Sequence, residues 1–191
     1  INPPVTPTGP VRWQGISAET IRSSSNGGII TGNIVNGNNL SNPLYWWTTV
    51  GLQYTGTSST STALSYSNNT VSGVGYGLVH DAPADITVTA NNLAASTMAI
   101  AVQRAYSSAG VQQLVGGTGN MNATGGNTIN GVVSGSATLA QLYAIEDAIY
   151  HKSDSCLFGL VRVIPNQIYV TVNSSSIQCG IDAAAVSGDM V

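Results

Sequence analysis

Apolar and polar residues alternate over short stretches of this chain, and clusters of Gly, Asn and Pro separate the stretches. Alternation with a period of two indicates a strand with one buried and one solvent-facing side. Residues 86–90 (ITVTA) are the cleanest example. The pattern predicts strands at 28–35, 46–55, 60–66, 73–79, 86–90, 97–104, 111–115, 128–133, 156–164, 167–172 and 176–181.

One segment, about residues 138–151, has the spacing of a helix instead. Thr138 and Gln141 form the Thr-x-x-Gln pattern of a capping box, and Leu139, Leu142 and Ile145 follow at helical spacing. No internal repeat of about 20 to 50 residues is recognised. Many short strands with one helix predict a mainly β protein, namely an immunoglobulin-like or pilin-like β-sandwich with one short helix and an extended N-terminal arm.

The N-terminus is predicted to be an arm (residues 1–14) that precedes a β-sandwich head (residues 15–191). It holds four of the seven prolines, which cannot donate the backbone hydrogen bonds of a central strand. Its odd-numbered positions, except Gly9, are nevertheless apolar, as in an extended segment with one side to bury. These candidate donor-strand residues are Ile1, Val5, Val11 and Trp13. We expect the arm to insert into a neighbouring subunit, with Ile16 or Ile21 as alternative ends of the inserted stretch.

Charged side chains are scarce: they make up 7% of the residues, whereas about 25% is usual for soluble proteins. The surface is therefore expected to consist of hydroxyl and amide groups, and stability is expected to change little with pH. The five basic residues are scattered, which argues against nucleic acid as a partner. No run of about 18 apolar residues predicts a membrane span. The first residue is not Met, which fits a mature secreted chain and equally a boundary within a longer chain.

Ionisable residues gather once, at the end of the predicted helix. Glu146, Asp147, His151, Lys152 and Asp154 lie within nine residues. Asp147 and His151 are four residues apart, so they share a helix face and leave a metal or acid–base site as one interpretation. The favoured interpretation is the solvated end of an amphipathic helix, because the spacing indicates no third ligand. His and Lys also suit the negative C-terminal end of a helix.

The pair His80-Asp81 contains the residue types that orient a nucleophile in some hydrolases. No serine lies in a Gly-x-Ser-x-Gly motif, so this pair is predicted to lie in a turn. The glycine-rich residues 73–77 lack the lysine and the following helix of a phosphate-binding loop. No catalytic, metal-binding or cofactor-binding residue is therefore predicted, and an enzyme is not expected.

Cys156 and Cys179 are the only cysteines, and a disulfide between them is the expectation for a secreted chain. The predicted hairpin at Pro165-Asn166 argues against it. In a simple antiparallel meander the two cysteines would lie about 16 Å apart along the strands. The disulfide therefore requires the last strand to leave the meander, for example by crossing to the opposite sheet.

The glycosylation pattern Asn-x-Ser/Thr occurs at Asn39, Asn68, Asn122 and Asn173. A chain this rich in Asn, Ser and Thr contains about four such patterns by chance. Only their position in or beside predicted turns supports N-linked glycans. The aromatic patch at residues 45–47 (YWW) is interpreted as core or a subunit contact, with sugar stacking as the alternative.

The alternating arm, the uncharged Ser/Thr/Asn-rich surface and the sequons together resemble the thread filament pilins of archaea. That family consists of glycosylated, type-1-pilin-like subunits in which the arm of one subunit completes the sandwich of the next. The resemblance implies donor-strand contacts at Ile1, Val5, Val11 and Trp13 and glycan acceptors at the four sequons. The prolines depart from a standard donor strand, which leaves the inserted stretch open.

The expected function is thus a structural subunit of an extracellular cell-surface filament, polymerised head to tail and serving adhesion or biofilm formation. Its expected partners are copies of itself and N-linked glycans, with no nucleic acid, no membrane span and no cofactor. Two alternatives remain open. One is a viral capsid or tail-fibre β-domain, and the other is a carbohydrate-binding module.

Overall fold

A computed structural model describes residues 13–19, 28–38, 49–55, 64–102, 104–108, 111–115, 117–174, 176–184 and 188–191. The strands in these ranges are β1 (Trp13–Glu19), β2 (Gly28–Thr31), β3 (Ile34–Asn36), β4 (Thr49–Thr55), β5 (Leu64–Ser67), β6 (Thr70–Asp81), β7 (Ile86–Thr89), β8 (Asn92–Ala101), β9 (Arg104–Ser108), β10 (Val111–Val115), β11 (Met121–Gly125), β12 (Thr128–Ile129), β13 (Val132–Val133), β14 (Ile149–Tyr150) and β15 (Val161–Arg162). The helices are a 3-10 turn at Ser134–Ser136, α1 (Leu139–Glu146) and α2 (Ile177–Ala183).

Most strands belong to two sheets whose neighbours run in parallel, except for the antiparallel pair β12–β13. Sheet I has the order β1-β4-β6-β8-β12-β13, with β3 also paired to β6 and β14 also paired to β8. Sheet II has the order β15-β11-β7-β5-β2. The chain crosses repeatedly from sheet II to sheet I, through β2 to β3, β5 to β6, β7 to β8 and β11 to β12. Successive crossings stack on one another, so the chain winds into a parallel β-solenoid in which each coil contacts its neighbours.

The mainly β prediction is confirmed, whereas the immunoglobulin-like sandwich is not. The sheets of such a sandwich are antiparallel. Here the antiparallel pairs of the described part are the hairpins β9–β10 and β12–β13. Alternation correctly indicated strands with one buried side, but it carries no information about the direction of the neighbouring strand.

A turn of two residues joins sheet II to sheet I in four successive coils. Its first residue has a positive φ, which is 69° at Gly32, 55° at Asn68, 54° at Ala90 and 71° at Gly126. Gly and Asn adopt this conformation most readily. The second residue is Asn in every coil, at Asn33, Asn69, Asn91 and Asn127. The separations are 36, 22 and 36 residues, so the expectation that no internal repeat exists is wrong, because insertions of unequal length conceal the repeat.

The four asparagines form a continuous hydrogen-bonded ladder along the solenoid. Asn69 Oδ1 accepts from the backbone N and Nδ2 of Asn33 at 3.1 and 3.0 Å. Asn91 Oδ1 accepts likewise from Asn69 at 3.0 and 2.9 Å, and Asn127 Oδ1 from Asn91 at 3.0 and 3.1 Å. Each Nδ2 of the last three also donates to a strand carbonyl of the preceding coil. The ladder therefore supplies hydrogen-bond partners for buried amide groups that, at the turn, have no partner in the sheet.

The core fills the space between the two sheets with residues stacked in register. From sheet II the inward row contains Leu64, Ile86, Met121 and Val161, and from sheet I it contains Leu52, Leu78 and Ile100. All seven are at most 4% exposed. Full burial of one such aliphatic side chain contributes about 1.5–3 kcal/mol, so this stack is the main source of stability.

Small residues also lie side by side on neighbouring strands within sheet I. Gly51, Gly77 and Ala99 lie beside one another on β4, β6 and β8. A Cβ on Gly77 would lie 2.4 Å from the carbonyl oxygen of Ala99, and one on Gly51 would lie 2.8 Å from that of Gly77. The backbones of successive coils thus approach too closely here for a larger side chain.

The C-terminal part departs most from the sequence predictions. The start of the predicted helix and its capping box at Thr138 and Gln141 are confirmed, but α1 ends at Glu146 and not near residue 151, because the chain enters β14 at Ile149. The predicted strand at 156–164 is reduced to β15, and the predicted strand at 176–181 is helix α2, capped by the Ser176 side chain. Apolar residues at alternate positions over only six residues do not distinguish a strand from one helical turn.

The disulfide between Cys156 and Cys179 is confirmed, with the two Cα atoms 4.9 Å apart. Cys179 lies in α2, not on a strand of an antiparallel meander. The separation of about 16 Å that an antiparallel meander would impose on the two cysteines therefore does not apply to this fold.

Candidate functional site

The outward side of sheet II presents hydroxyl and amide groups in rows that cross the strands. One row aligns Ser65 on β5, Thr87 on β7, Asn122 on β11 and Arg162 on β15. A parallel row pairs Ser67 with Thr89, and neighbouring strands in each row lie about 4.8 Å apart. Because the inward neighbours on the same strands are buried, these polar side chains form the outer face of the solenoid.

A cleft of about 470 Å³ opens where this face meets the C-terminal part. Its polar lining comprises Asn120, Asn122, Thr124, Lys152, Arg162 and Asn166. The cleft thus gathers two of the five basic residues of the chain, which are ten positions apart in the sequence. In the sequence, Lys152 and Arg162 are two of five basic residues that are scattered along the chain. Their convergence depends on the course of the chain between β14 and β15, which no local pattern indicates.

The two cations in the cleft differ in their surroundings. The guanidinium of Arg162 donates two hydrogen bonds to the carboxylate of Asp189, at 2.7 and 2.9 Å. The Asp189 side chain is only 1% exposed, so its charge is neutralised beneath the surface. Lys152 has no ion-pair partner among the described residues and is half-buried. The net positive charge of the cleft therefore resides on Lys152.

The predicted ionisable cluster is not a solvated helix end, since its central members are buried. Glu146 is 6% exposed, His151 1% and Ser153 0%. His151 Nε2 lies 2.9 Å from Glu146 Oε1, and Ser153 Oγ donates to the same oxygen at 2.6 Å. Asp154 also contacts the cluster, because its carboxylate accepts a hydrogen bond from the backbone N of His151 at 2.9 Å. Burial raises the pKa of Asp154 above its usual value.

The Ser153–His151–Glu146 cluster has the composition of a catalytic triad but not its arrangement. His151 Nδ1 accepts from the backbone N of Val161 at 2.9 Å, so the ring proton is on Nε2, which lies 2.9 Å from both Glu146 Oε1 and Ser153 Oγ. A general base for Ser153 requires an unprotonated nitrogen facing the hydroxyl. The hydroxyl instead donates to the carboxylate, and all three groups are buried. The cluster therefore ties the end of α1 to β15 and offers no accessible nucleophile.

His80 is a second buried histidine, and its surroundings are unusual. It is the penultimate residue of β6, which corrects the prediction that His80-Asp81 lies in a turn. Within the described part of the chain, no group meets hydrogen-bond geometry with either ring nitrogen or with the nearby hydroxyl of Tyr54. The Tyr54 ring stacks on the imidazole with a centroid distance of 5.6 Å. Burial lowers the pKa of His80 to about 4, so the ring is neutral at physiological pH.

The other predicted site residues fall in different places. Ile1, Val5, Val11 and Asn39 lie outside the described residues, as does the aromatic patch at 45–47. Trp13 begins β1, and its Cα is paired with that of Thr49 in β4 of the same chain.

Three sequons lie in the described part of the chain. Asn68, Asn122 and Asn173 are all exposed, as a glycan acceptor must be. Asn68 occupies the positive-φ position of a turn, Asn122 lies on the outer face of sheet II, and Asn173 lies in a turn after residue 170. Their glycosylation stays a prediction.

The described residues contain no group of three or more His, Cys, Asp or Glu side chains that could hold a metal ion. Neither helix in this part of the chain is long and apolar enough to cross a membrane. No known protein family, curated protein or solved structure matches the chain. The site must therefore be interpreted from its own geometry.

Proposed function

We propose that this chain is a structural subunit of an extracellular filament, polymerised head to tail by strand addition and serving adhesion or biofilm formation. The observation that carries the proposal is the parallel stacking of the coils. In each sheet the strands are stacked one after another along the solenoid axis. The two edge strands of each sheet therefore lie at the two ends of the solenoid. Strand β2 is the last described strand of sheet II, with β5 as its neighbour.

An end strand of this kind is suited to pairing with another chain. Its backbone N–H and C=O groups form a template for an added strand. A chain in which only 7% of the residues are charged opposes such contacts little, because like-charge repulsion is small. The disulfide between Cys156 and Cys179 fits an oxidising, extracellular environment.

The parallel pairing of β1 with β4 refines which part of the arm is the donor. Residues 13–19 form β1 along their own head. A donor segment that inserts into a neighbour would therefore consist of residues 1–12, whose apolar positions include Val5 and Val11. Thread filament pilins remain the comparison for this mode of assembly. Their antiparallel sandwich is not part of the proposal.

Electron microscopy of the purified chain and of arm variants tests the proposal. We expect filaments from the full chain and dispersed subunits after deletion of residues 1–12, with the far-ultraviolet spectrum of the head retained. Val5→Asp should also prevent filaments, whereas Thr6→Asp, on the polar side of the alternation, should allow them. Filaments formed without residues 1–12 would refute the donor role. Closed trimeric spikes would favour the tail-fibre alternative instead.

A further inference from the structure

We propose that the cleft between β11 and the segment after β15 binds a carboxylate-bearing sugar unit of an acidic extracellular glycan. The inference does not depend on polymerisation, because every group that carries it belongs to one chain. It assigns a ligand to a part of the surface that the filament proposal leaves unused.

The cleft contains side-chain hydrogen-bond donors that have no partner among the described residues. Asn120 Oδ1 accepts from the backbone N of Leu160 at 3.0 Å, and Asn122 Oδ1 accepts from the backbone N of Thr124 at 3.2 Å. These backbone donors fix the orientation of both amides, because a flipped amide would present hydrogens to an N–H group. The Nδ2 groups of Asn120 and Asn122 therefore remain as donors, without a partner among the described residues.

Charge determines that the ligand is an anion. Lys152 supplies an uncompensated positive charge. Arg162 keeps further N–H groups for a ligand beyond the two that Asp189 occupies. The exposed Asp85 also lies beside the cleft, since its carboxylate accepts from the backbone N of Asn120 at 2.7 Å. A carboxylate ligand would thus meet a lysine, part of a guanidinium and two amide donors, which is the environment that charge-assisted hydrogen bonds require.

The size and position of the cleft favour a sugar over a bare ion. Its volume of about 470 Å³ falls within the range of about 300–1,000 Å³ that is typical of small-molecule sites. It is also continuous with the outer face of sheet II, because Asn122 lies in register between Arg162 and Thr87. The hydroxyl rows through Thr87 and Ser65 extend this polar surface away from the cleft. A glycan chain lying across the strands would place an acidic unit in the cleft and neutral hydroxyls along the rows.

The proposal makes one modification incompatible with binding. Asn122 is both a donor in the cleft and the acceptor of a predicted sequon. An N-linked glycan on its Nδ2 would remove that donor and fill the opening. The acidic glycan is therefore expected to bind the form of the chain in which Asn122 is unmodified.

The test is titration calorimetry with the full chain, produced without glycosylation and confirmed as folded by its thermal transition. The probes are a uronic-acid oligosaccharide, its neutral counterpart and sodium acetate. We expect the uronate oligomer to bind at least tenfold more tightly than the neutral oligomer and than acetate, and to weaken as salt increases.

Three variants locate the site. Lys152→Ala should weaken uronate binding at least tenfold, and Lys152→Arg should restore most of it. Asn122→Ala should weaken it about threefold, whereas Asn92→Ala, an exposed Asn on β8 outside the cleft, should leave it unchanged. The proposal is overturned if the neutral and acidic oligomers bind equally, if acetate binds as tightly as the oligomer, or if folded Lys152→Ala binds like the original chain. Each result is independent of whether filaments form.

Discussion

Replacing Asn91 with alanine removes the middle of the asparagine ladder and should strongly destabilise the solenoid. Asn91 is 1% exposed, and its side chain bonds to both neighbouring coils. Its Oδ1 accepts from the backbone N and Nδ2 of Asn69, and its Nδ2 donates to the carbonyl of Tyr66. Alanine provides none of these groups, and the turn is too deeply buried for water to replace them readily.

The magnitude follows from the donors that lose their acceptor. The backbone N–H of Asn69 and one hydrogen of its amide both depend on Asn91 Oδ1. A buried donor left without a partner costs about 1–3 kcal/mol, so two cost about 2–6 kcal/mol. We expect a loss of about 4 kcal/mol, which is a large part of the about 5–15 kcal/mol that stabilises a typical domain.

Urea denaturation followed by circular dichroism measures the effect. Asn92→Ala is the matched control, because Asn92 is the exposed neighbour on β8, and we expect it to change the unfolding free energy by less than about 0.5 kcal/mol. Asn91→Asp keeps the acceptor but buries a carboxylate, so its deficit should be smaller near pH 4 than near pH 8. The reasoning is refuted if Asn91→Ala is within about 1 kcal/mol of Asn92→Ala, because the ladder would then carry little free energy.

Three further changes test other parts of the fold. Gly77→Ala should cost about 1–3 kcal/mol because the added methyl group meets the backbone of the next coil, whereas Gly135→Ala, with open space around it, should change the urea midpoint little. His80 binds a proton less readily in the folded state, so its contribution is fully present above about pH 6.5 and is lost as the pH falls towards 4, at a cost of up to about 3 kcal/mol. His80→Gln should flatten this part of the stability–pH profile, and an unchanged profile would contradict the lowered pKa. Reduction of the Cys156–Cys179 disulfide, which spans 23 positions, should lower stability by about 3 kcal/mol, seen as a lower melting temperature in dithiothreitol. An equal melting temperature with and without reductant would show that this crosslink does not stabilise the fold.

From the lowered pKa of His80 we expect an exception to the weak pH dependence that the composition predicts. Few charged residues suggested that stability would change little with pH. We expect this buried histidine to introduce a pH dependence by itself, because burial disfavours the protonated ring at that position. Composition gives the number of titratable groups, whereas the burial of each group determines how much it contributes to the pH dependence of stability.

The sequence by itself determined the local features of this protein. Alternation in residues 86–90 correctly predicted a strand, and the Thr138–Gln141 capping box correctly predicted the start of a helix. The two cysteines correctly predicted a disulfide. These features depend on residues close in the chain or, for the cysteines, on their chemistry alone, so no knowledge of the fold was needed.

Only the tertiary structure decided how those parts combine. Whether β5 pairs in parallel with β7 depends on backbone groups that every residue carries, so side-chain patterns do not reveal it. The Asn69–Asn91 contact joins residues 22 positions apart, while the other steps of the ladder span 36. Lys152 and Arg162 likewise share a cleft because the chain turns back between β14 and β15. Stacking of coils brings distant positions into contact. Insertions of unequal length between the coils remove the regular spacing that would have revealed the repeat in the sequence.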